Sequence, residues 1–233
     1  MKTSNYIIIA FFVFLFGGVF VLFLSSKIHQ GDSDRGLYSE EKKLESFSVV
    51  VAEPGANFHL RNGENPRMLC SYELPDTCSF PEYGIRNDTL FVFARKKNIK
   101  PGYGNKIDIY GKNIKSIIAK ENSYMSLQQF AADTLYMRLN NAKLDAFFDK
   151  TKSTTALFSI QAVESDISLT GAIIGSIDIQ LNKTKMQTWN NSIGSLSGSL
   201  KNDSHVTFGW LNKISLDIDS TSAYQLMKYQ LKK

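Results

Sequence analysis

Three aspartates have a spacing that could support glycan cleavage, which uses two carboxyl groups about 5–9 Å apart. Asp217 and Asp219 lie two positions apart, and Asp178 lies in a similar segment earlier in the chain. On a strand that rises about 3.3 Å per residue, Asp217 and Asp219 would be roughly 6.5 Å apart. However, all three alternate with Ile or Leu, which predicts a solvated outer face. We therefore predict no catalytic residues and no enzyme; a polysaccharide-active enzyme is an alternative function.

The three histidines do not suggest a metal site. His29 lies in a polar stretch, and His59 and His205 alternate with apolar neighbours, so both are expected to face solvent. The chain contains no H-E-x-x-H motif, and its two cysteines are too few for a zinc site. The G-x-S-x-G and P-loop motifs are also missing from the sequence. We predict neither a metal nor a cofactor.

A strongly basic segment is the clearest candidate binding feature of the chain. Its single acid is Asp108, so the segment is more positive than the whole chain, whose net charge is +5. In a stacked fold these cations would fall on one or two neighbouring coils and form a patch for an anionic ligand. A solvated basic face without a ligand is the alternative. The cations are Arg95, Lys96, Lys97, Lys100, Lys106, Lys112, Lys115 and Lys120.

The two cysteines, Cys70 and Cys78, flank Pro75 and Asp76 and could close a small loop through a disulfide. Such a bridge would fit an oxidising compartment. Two buried free thiols are the alternative, and the sequence does not separate the two.

Short strands must position all of these residues. Apolar and polar residues alternate with a period of two in segments such as 47–51, 58–60, 90–92 and 107–109. Gly, Asn, Asp and Pro bound these segments, and this combination is typical of strands and turns. No long helical apolar stripe follows residue 46. The sequence therefore predicts an all-β domain.

From about residue 105 the strands recur with a nearly fixed period. Similar segments begin at residues 133, 155, 175, 194 and 212, and a second series follows each after about ten residues. Each unit of about twenty residues thus holds two short strands and two turns. A fixed period of this size indicates stacked repeats, because a single unit cannot bury its own apolar row.

This periodicity predicts a parallel β-helix or β-solenoid with coils of about twenty residues. A β-sandwich is the alternative, although residues 105–233 lack Asn-Gly and Asp-Gly hairpin turns. Stacking would place apolar residues of successive coils in two inward ladders. The first ladder comprises Leu135, Phe158, Ile177, Leu196 and Ile214, and the second comprises Leu144, Ile167, Met186 and Val206.

One transmembrane α-helix is expected to precede the solenoid. Nineteen residues from Tyr6 to Leu24 carry no charge, and at about 1.5 Å per residue they span roughly the 30 Å bilayer core. A cleaved signal peptide is the alternative, but the run is long and no A-x-A-like site follows Leu24. Lysines after the helix would favour a cytoplasmic C-terminal side. Acids lie among them, however, and long domains translocate largely regardless of charge, so we predict an exported domain.

The chain therefore divides into three parts. Residues 1–26 are predicted to form the anchor, residues 27–46 a polar spacer and residues 47–233 the solenoid domain. Within that domain, residues 47–104 would supply a cap and the first coils, because a solenoid end requires atypical units. Residues 105–233 would form the regular coils.

Four segments also carry a resemblance to a known family. They are the strands 47–51 and 89–93, the pair Phe58 and Leu60 leading into residues 61–63, and the segment 107–117, which repeated short strands follow. Over most of residues 47–222 this pattern resembles the bacterial auto-transporter adhesin, head GIN domain family, common in Bacteroidetes. The resemblance implies an exported, right-handed, parallel β-helix-like domain, and it supplies no catalytic residues.

These observations predict a non-catalytic, adhesin-like binding or structural module of the cell envelope. It would be a single-pass protein of the cell membrane whose C-terminal domain is extracytoplasmic, in the periplasm. Its expected partners are the membrane and an anionic polysaccharide, lipopolysaccharide or envelope protein, with no nucleic acid. A regulator that docks a protein partner is the further alternative.

Overall fold

The structure of the chain is a computed structural model. It describes residues 37–73, 78–95, 105–128, 130, 132–148, 154–171 and 173–227, together with the single positions 14, 16, 17 and 19. No helix in this part of the chain is long and apolar enough to cross a membrane. Apart from those four positions, the predicted anchor, residues 1–26, lies outside the described residues, as does the first part of the predicted spacer.

Nineteen strands in two sheets make up the described fold. In spatial order, sheet A contains β1 (Leu37–Lys43), β4 (Arg67–Glu73), β7 (Lys106–Gly111), β3 (Asn57–Asn62), β9 (Tyr124–Gln128), β11 (Lys143–Phe147), β13 (Asp166–Thr170), β15 (Lys185–Trp189), β17 (His205–Phe208) and β19 (Ala223–Leu226). Sheet B contains β18 (Trp210–Ile218), β16 (Ser192–Lys201), β14 (Ile173–Asn182), β12 (Thr154–Val163), β10 (Thr134–Asn140), β8 (Ser116–Ala119), β2 (Val49–Ala52), β6 (Thr89–Val92) and β5 (Tyr83–Arg86).

Strands β10 to β19 form five stacked coils, each with one strand in sheet B and the next in sheet A. Every pairing between successive coils is parallel, for example β10 with β12 and β11 with β13. The predicted β-solenoid is therefore confirmed, and the β-sandwich alternative, which requires antiparallel hairpins, is wrong. The regular coils begin with β8 and β9, which pair with β10 and β11.

Both predicted ladders are confirmed by the strand register. In the first ladder, Leu135 is opposite Phe158, and the row continues through Ile177 and Leu196 to Ile214. The second ladder runs from Leu144 through Ile167 and Met186 to Val206. All of these side chains are buried except that of Ile214, which is partly exposed on the last described strand of sheet B. Burial of these rows is the main favourable term that holds the coils together.

At one corner of the solenoid, a row of hydroxyl groups takes the place of apolar side chains. We call this row the corner ladder; it comprises Ser165, Thr184, Ser204 and Ser222. Each hydroxyl oxygen accepts a hydrogen bond from a backbone N–H in the preceding coil, at 3.2, 3.3, 3.2 and 3.0 Å in that order. These bonds satisfy backbone donors that the turn would otherwise leave buried without a partner.

Next to the corner ladder, the chain turns through left-handed backbone conformations. Asn141, Glu164, Lys183 and Asn202 have φ angles of 48°, 49°, 51° and 54°. Asn tolerates this region better than most residues because its short amide can bond locally. Glu164 and Lys183 occupy it in the same way because the hydrogen bonds of the neighbouring coils fix the turn.

The first part of the domain stacks in an order that differs from its sequence order. The coil formed by β2 and β3 lies between two others: β8 and β9 pair with it on one side, and β6 and β7 on the other. Antiparallel strands β4 and β1 then extend sheet A beyond β7, and β5 closes sheet B beyond β6. Antiparallel strands thus end the solenoid at its N-terminal side.

Strand β1 corrects the predicted boundary of the spacer. Residues 37–43 lie within the segment 27–46 that we expected to be a polar linker, yet they pair over seven positions with β4. Both faces of β1 are exposed, so its sequence shows charges where strands usually show alternation. Charged residues are typical of edge strands, since they discourage pairing with other chains.

Candidate functional site

A polar cluster formed by His59, Arg61, Lys106, Asp108 and Gln128 lies on the outer face of sheet A. Strands β3, β7 and β9 bring these residues together, and the register places His59 opposite Asp108. Oδ1 of Asp108 lies 2.8 Å from Nε of Arg61, 3.6 Å from Nζ of Lys106 and 3.8 Å from Nδ1 of His59. Gln128 completes the cluster by bonding to Nη2 of Arg61 and, at 2.8 Å, to Nδ1 of His59.

His59 is less exposed than the sequence predicted. Its side chain is 23% exposed, whereas that of His205 is 54% exposed. Burial, followed by the charge of Lys106, holds the pKa of His59 below its ordinary value. The imidazole is therefore neutral at physiological pH; it lies on the outer face, but neighbouring side chains cover much of it. Sequence alternation places His59 on the outer face but does not reveal which strands lie beside it.

The cations of the predicted basic patch are only partly described. Lys96, Lys97 and Lys100 lie outside the described residues, so their positions stay a prediction. Arg95 is half-buried and donates from Nη2 to the backbone oxygen of Asn105 at 2.8 Å.

Three of the four remaining lysines have carboxylate partners. Lys115 and Lys120 stand at the two ends of β8, roughly 16 Å apart at about 3.3 Å per residue. Within the described part of the chain, Lys115 is exposed and forms no ion pair. The described lysines thus lie on two coils that the β2 and β3 coil separates, not on neighbouring coils as expected, and three of the four lie beside a carboxylate. The pairs are Lys106–Asp108 at 3.6 Å, Lys120–Glu53 at 2.7 Å, and Lys112–Glu64.

The three aspartates considered for glycan cleavage occupy separate positions. Asp178 on β14 accepts a hydrogen bond of 3.2 Å from Ser197, and Asp217 lies on β18, two strands away. Asp219 follows β18 and accepts the backbone N–H of Asn202 at 2.6 Å. This bond, with bonds from Ser222 and Thr221, keeps the pKa of Asp219 below its ordinary range. Asp219 is therefore a permanent carboxylate and unsuited to act as a general acid.

Cys70 and Cys78 form a disulfide in the structure. Cys70 lies on β4 and is fully buried, and the bridge joins Cys78 to this strand. Within the described residues, no group of three or more His, Cys, Asp or Glu side chains could hold a metal ion.

A cavity of about 910 Å³ adjoins the start of β8 and β10. Its charged lining residues are Glu64, Lys112, Lys115 and Asp133, and Tyr136 forms part of one wall. Because the two lysines and two carboxylates balance, this cavity has no net charge that would select an anionic ligand.

A second depression, of about 770 Å³, lies across the outer face of sheet B, and we call it the sheet B groove. Lys120 belongs to the predicted basic patch, but the sequence does not point to the other groove residues, because each is an isolated residue in its own strand. Only the parallel register brings Arg138, Gln161 and Gln180 side by side. The charged and amide residues of the groove are Lys120, Arg138, Asn140, Gln161, Gln180, Asn182 and Lys201.

Comparison with known proteins shows the fold of the chain. No protein-family model matches it, and no curated protein matches it either. Solved structures do match, among them a candidate adhesin of Bacteroides fragilis NCTC 9343, with 12% identity and a TM-score of 0.51. This match covers 82% of our chain and 97% of the other chain.

A candidate adhesin of Parabacteroides distasonis ATCC 8503 is similar to the same extent. It shares 9% of its residues, the TM-score is 0.50, and the match covers 83% of our chain and 97% of the other. These identities are too low to carry over a function, so both structures show a common β-solenoid fold alone. The more specific family resemblance drawn from the sequence stays a prediction.

Proposed function

We propose that this chain is a non-catalytic binding module of the cell envelope, displayed outside the cytoplasmic membrane by its N-terminal anchor. The outer face of sheet B carries this proposal. There, the side chains of Arg138, Gln161 and Gln180 are exposed on successive strands and make no hydrogen bond or ion pair within the described residues. A row of uncommitted polar groups on a rigid sheet is suited to binding at a surface.

The distribution of carboxylates supports a non-catalytic function. Glycan cleavage needs two carboxyl groups that converge on one bond. Asp178 and Asp217 lie two strands apart on a flat face, and hydrogen bonds hold Asp219 ionised. These three aspartates therefore do not converge on one bond.

The proposed ligand class is an anionic component of the envelope, that is, an acidic polysaccharide, lipopolysaccharide or anionic lipid. The chain carries a net charge of +5, and the segment from Arg95 to Lys120 is its most basic part. A net positive charge raises the local concentration of anions, and this attraction weakens as salt is added. The hydrophobic N-terminal run supports a location next to the membrane.

Binding of the full chain, purified in mild detergent, to anionic vesicles, lipopolysaccharide and an acidic polysaccharide would test this proposal. We expect binding to at least one of the three to weaken as salt rises. A Lys97→Gln/Lys100→Gln/Lys115→Gln variant should bind lipid or lipopolysaccharide more weakly than wild type. Arg86→Gln/Lys185→Gln/Lys213→Gln removes the same charge elsewhere and serves as the control. Wild-type protein that binds none of the three ligands would disprove the proposal.

A second candidate is a regulator that docks a protein partner through the last coil. Trp210, Tyr224 and Leu226 in that coil are 55%, 43% and 49% exposed, which is high for large apolar side chains. In that case a stoichiometric protein should co-purify at high salt, and Trp210→Ser/Leu226→Ser should release it.

A further inference from the structure

The sheet B groove crosses strands β8, β10, β12, β14 and β16, perpendicular to their length. Adjacent strands lie about 4.8 Å apart, so five strands give the groove a length of roughly 19 Å. Its long direction is the stacking direction of the coils. An occupant that fills the groove must therefore be extended.

The groove is positively charged. Three lysine or arginine side chains line it, Lys120, Arg138 and Lys201, and no acidic residue does. Lys120 forms an ion pair with Glu53, and its Nζ lies 2.7 and 2.9 Å from the two carboxylate oxygens. The side chains of Arg138 and Lys201 are exposed and have no hydrogen bond or ion pair within the described part of the chain. Two uncompensated cations thus stand at different places along the groove.

The distance between these cations restricts the occupant. Arg138 lies on β10 and Lys201 on β16, three strand spacings away and two residues further along the strand. These offsets correspond to roughly 16 Å between the two positions. A small anion could bind only one of them, whereas a linear polymer with repeated negative groups could contact both.

Neutral amides fill the floor between the two cations. Gln161 and Gln180 are neighbours in register, exposed, and likewise without a partner within the described residues. Each amide offers two donors and an acceptor, so this floor suits a ligand that both donates and accepts hydrogen bonds. Hydroxyl groups have this property, whereas the phosphates of a lipid surface only accept.

We infer that the sheet B groove binds a linear acidic polysaccharide, aligned with the stacking direction of the coils. Arg138 and Lys201 contact carboxylate or sulfate groups, and Gln161 and Gln180 contact hydroxyl groups between them. A single-stranded nucleic acid fits less well, since its bases stack on aromatic side chains and none of the lining residues is aromatic. This inference rests on the proposed function and specifies the ligand and the surface of that function.

The test measures binding of the full chain in mild detergent to polygalacturonate, a linear polymer of uronic acid, and to dextran, a neutral glucan. Arg138→Gln/Lys201→Gln should weaken binding to polygalacturonate at least about tenfold, because it removes two charge-assisted contacts. The control Arg86→Gln/Lys185→Gln changes two exposed strand cations outside the groove and should leave affinity within about twofold. Gln161→Ala/Gln180→Ala should weaken binding by a smaller factor at unchanged net charge.

Each alternative result has a defined meaning. Equal losses for the groove variant and its control would overturn the groove as the site while leaving the proposed function intact. Dextran binding as strong as polygalacturonate binding would overturn the acidic class of ligand. Wild-type binding to anionic vesicles but not to polygalacturonate would overturn this inference alone, whereas binding to neither, nor to lipopolysaccharide, would overturn the proposed function. All three variants lie on exposed positions, and circular dichroism should show unchanged β-structure.

Discussion

Nε of Arg61 donates a hydrogen bond of 2.8 Å to Oδ1 of Asp108, and this bond joins two strands whose residues lie 47 positions apart. The Asp108 side chain is only 7% exposed, and it also forms an ion pair with Lys106. The polar cluster therefore links the coil formed by β2 and β3 to the coil formed by β6 and β7. The coils of this part stack in an order that differs from their order in the sequence.

Asp108→Ala should lower the free energy of unfolding by about 2 kcal/mol, because it leaves Nε of the partly buried Arg61 without its acceptor. Urea denaturation followed by circular dichroism measures this change. Glu64→Ala is the control: its carboxylate is 78% exposed beside Lys112, and such pairs contribute less than about 1 kcal/mol. Equal effects of the two substitutions would show that the polar cluster does not stabilise the fold.

The free energy of unfolding should fall as the pH is lowered below about 6.5, the ordinary pKa of histidine. The folded pKa of His59 is depressed by burial and by Lys106, with Arg61 adding to the effect and Asp108 opposing it. The unfolded chain therefore takes up this proton at a higher pH than the folded chain. The loss begins near the unfolded pKa and is complete below the folded one.

His59→Gln should remove this part of the pH dependence, whereas His205→Gln, which changes an exposed imidazole, should retain it. Denaturant titrations between pH 4.5 and 7.5 would compare the three proteins. A His59→Gln curve parallel to that of wild type would contradict the assignment.

Thr184→Val should destabilise the protein by about 1–3 kcal/mol, although the two side chains have nearly the same shape. Thr184 belongs to the corner ladder, and its hydroxyl oxygen accepts the N–H of Ser165 at 3.3 Å. Valine leaves that buried donor without a partner. Thr207→Val, on the outer face of β17, should change stability by less than about 0.5 kcal/mol in the same thermal unfolding experiment.

Gly198→Ala should destabilise the fold by at least about 2 kcal/mol. Gly198 has a φ angle of 129°, and an added Cβ would lie 1.8 Å from the backbone oxygen of Ile179 in the preceding coil. Gly84→Ala is a matched control, since a Cβ there meets no atom within 4 Å. A decrease in Tm for Gly198→Ala no larger than that for Gly84→Ala would contradict the close approach of these two coils.

Much of the regular solenoid could be predicted because its determinants are local and repeated. Leu135, Phe158 and Ile177 recur at almost constant spacing, so any coil predicts the position of the next. Strand β1 was missed because both of its faces are exposed and its charges hide the backbone pairing with β4. The stacking of β6 against β2 was also missed, since no sequence period connects them.

The candidate sites were harder to predict because they depend on register across strands. His59 and Asp108 become neighbours only when β3 pairs with β7, and Arg138 joins Gln161 only when β10 pairs with β12. The basic segment is visible in the sequence as a run of positive charges. In the structure, however, Lys112 and Lys120 form ion pairs with Glu64 and Glu53, which lie far away in the sequence. The number of charges in a sequence segment is therefore a weaker guide to a binding site than the balance of positive and negative side chains that lie close together in the fold.

Strands β18 and β19 end the described sheets, and the inward side chains Ile214, Leu216 and Ile218 remain only partly covered there. Because every regular coil touches only its immediate neighbours, duplication of one coil would lengthen the molecule by about 4.8 Å without altering any existing contact. Each duplicated coil would thus add one fixed increment of length and one more subsite for a polymer, while the rest of the sequence stays the same.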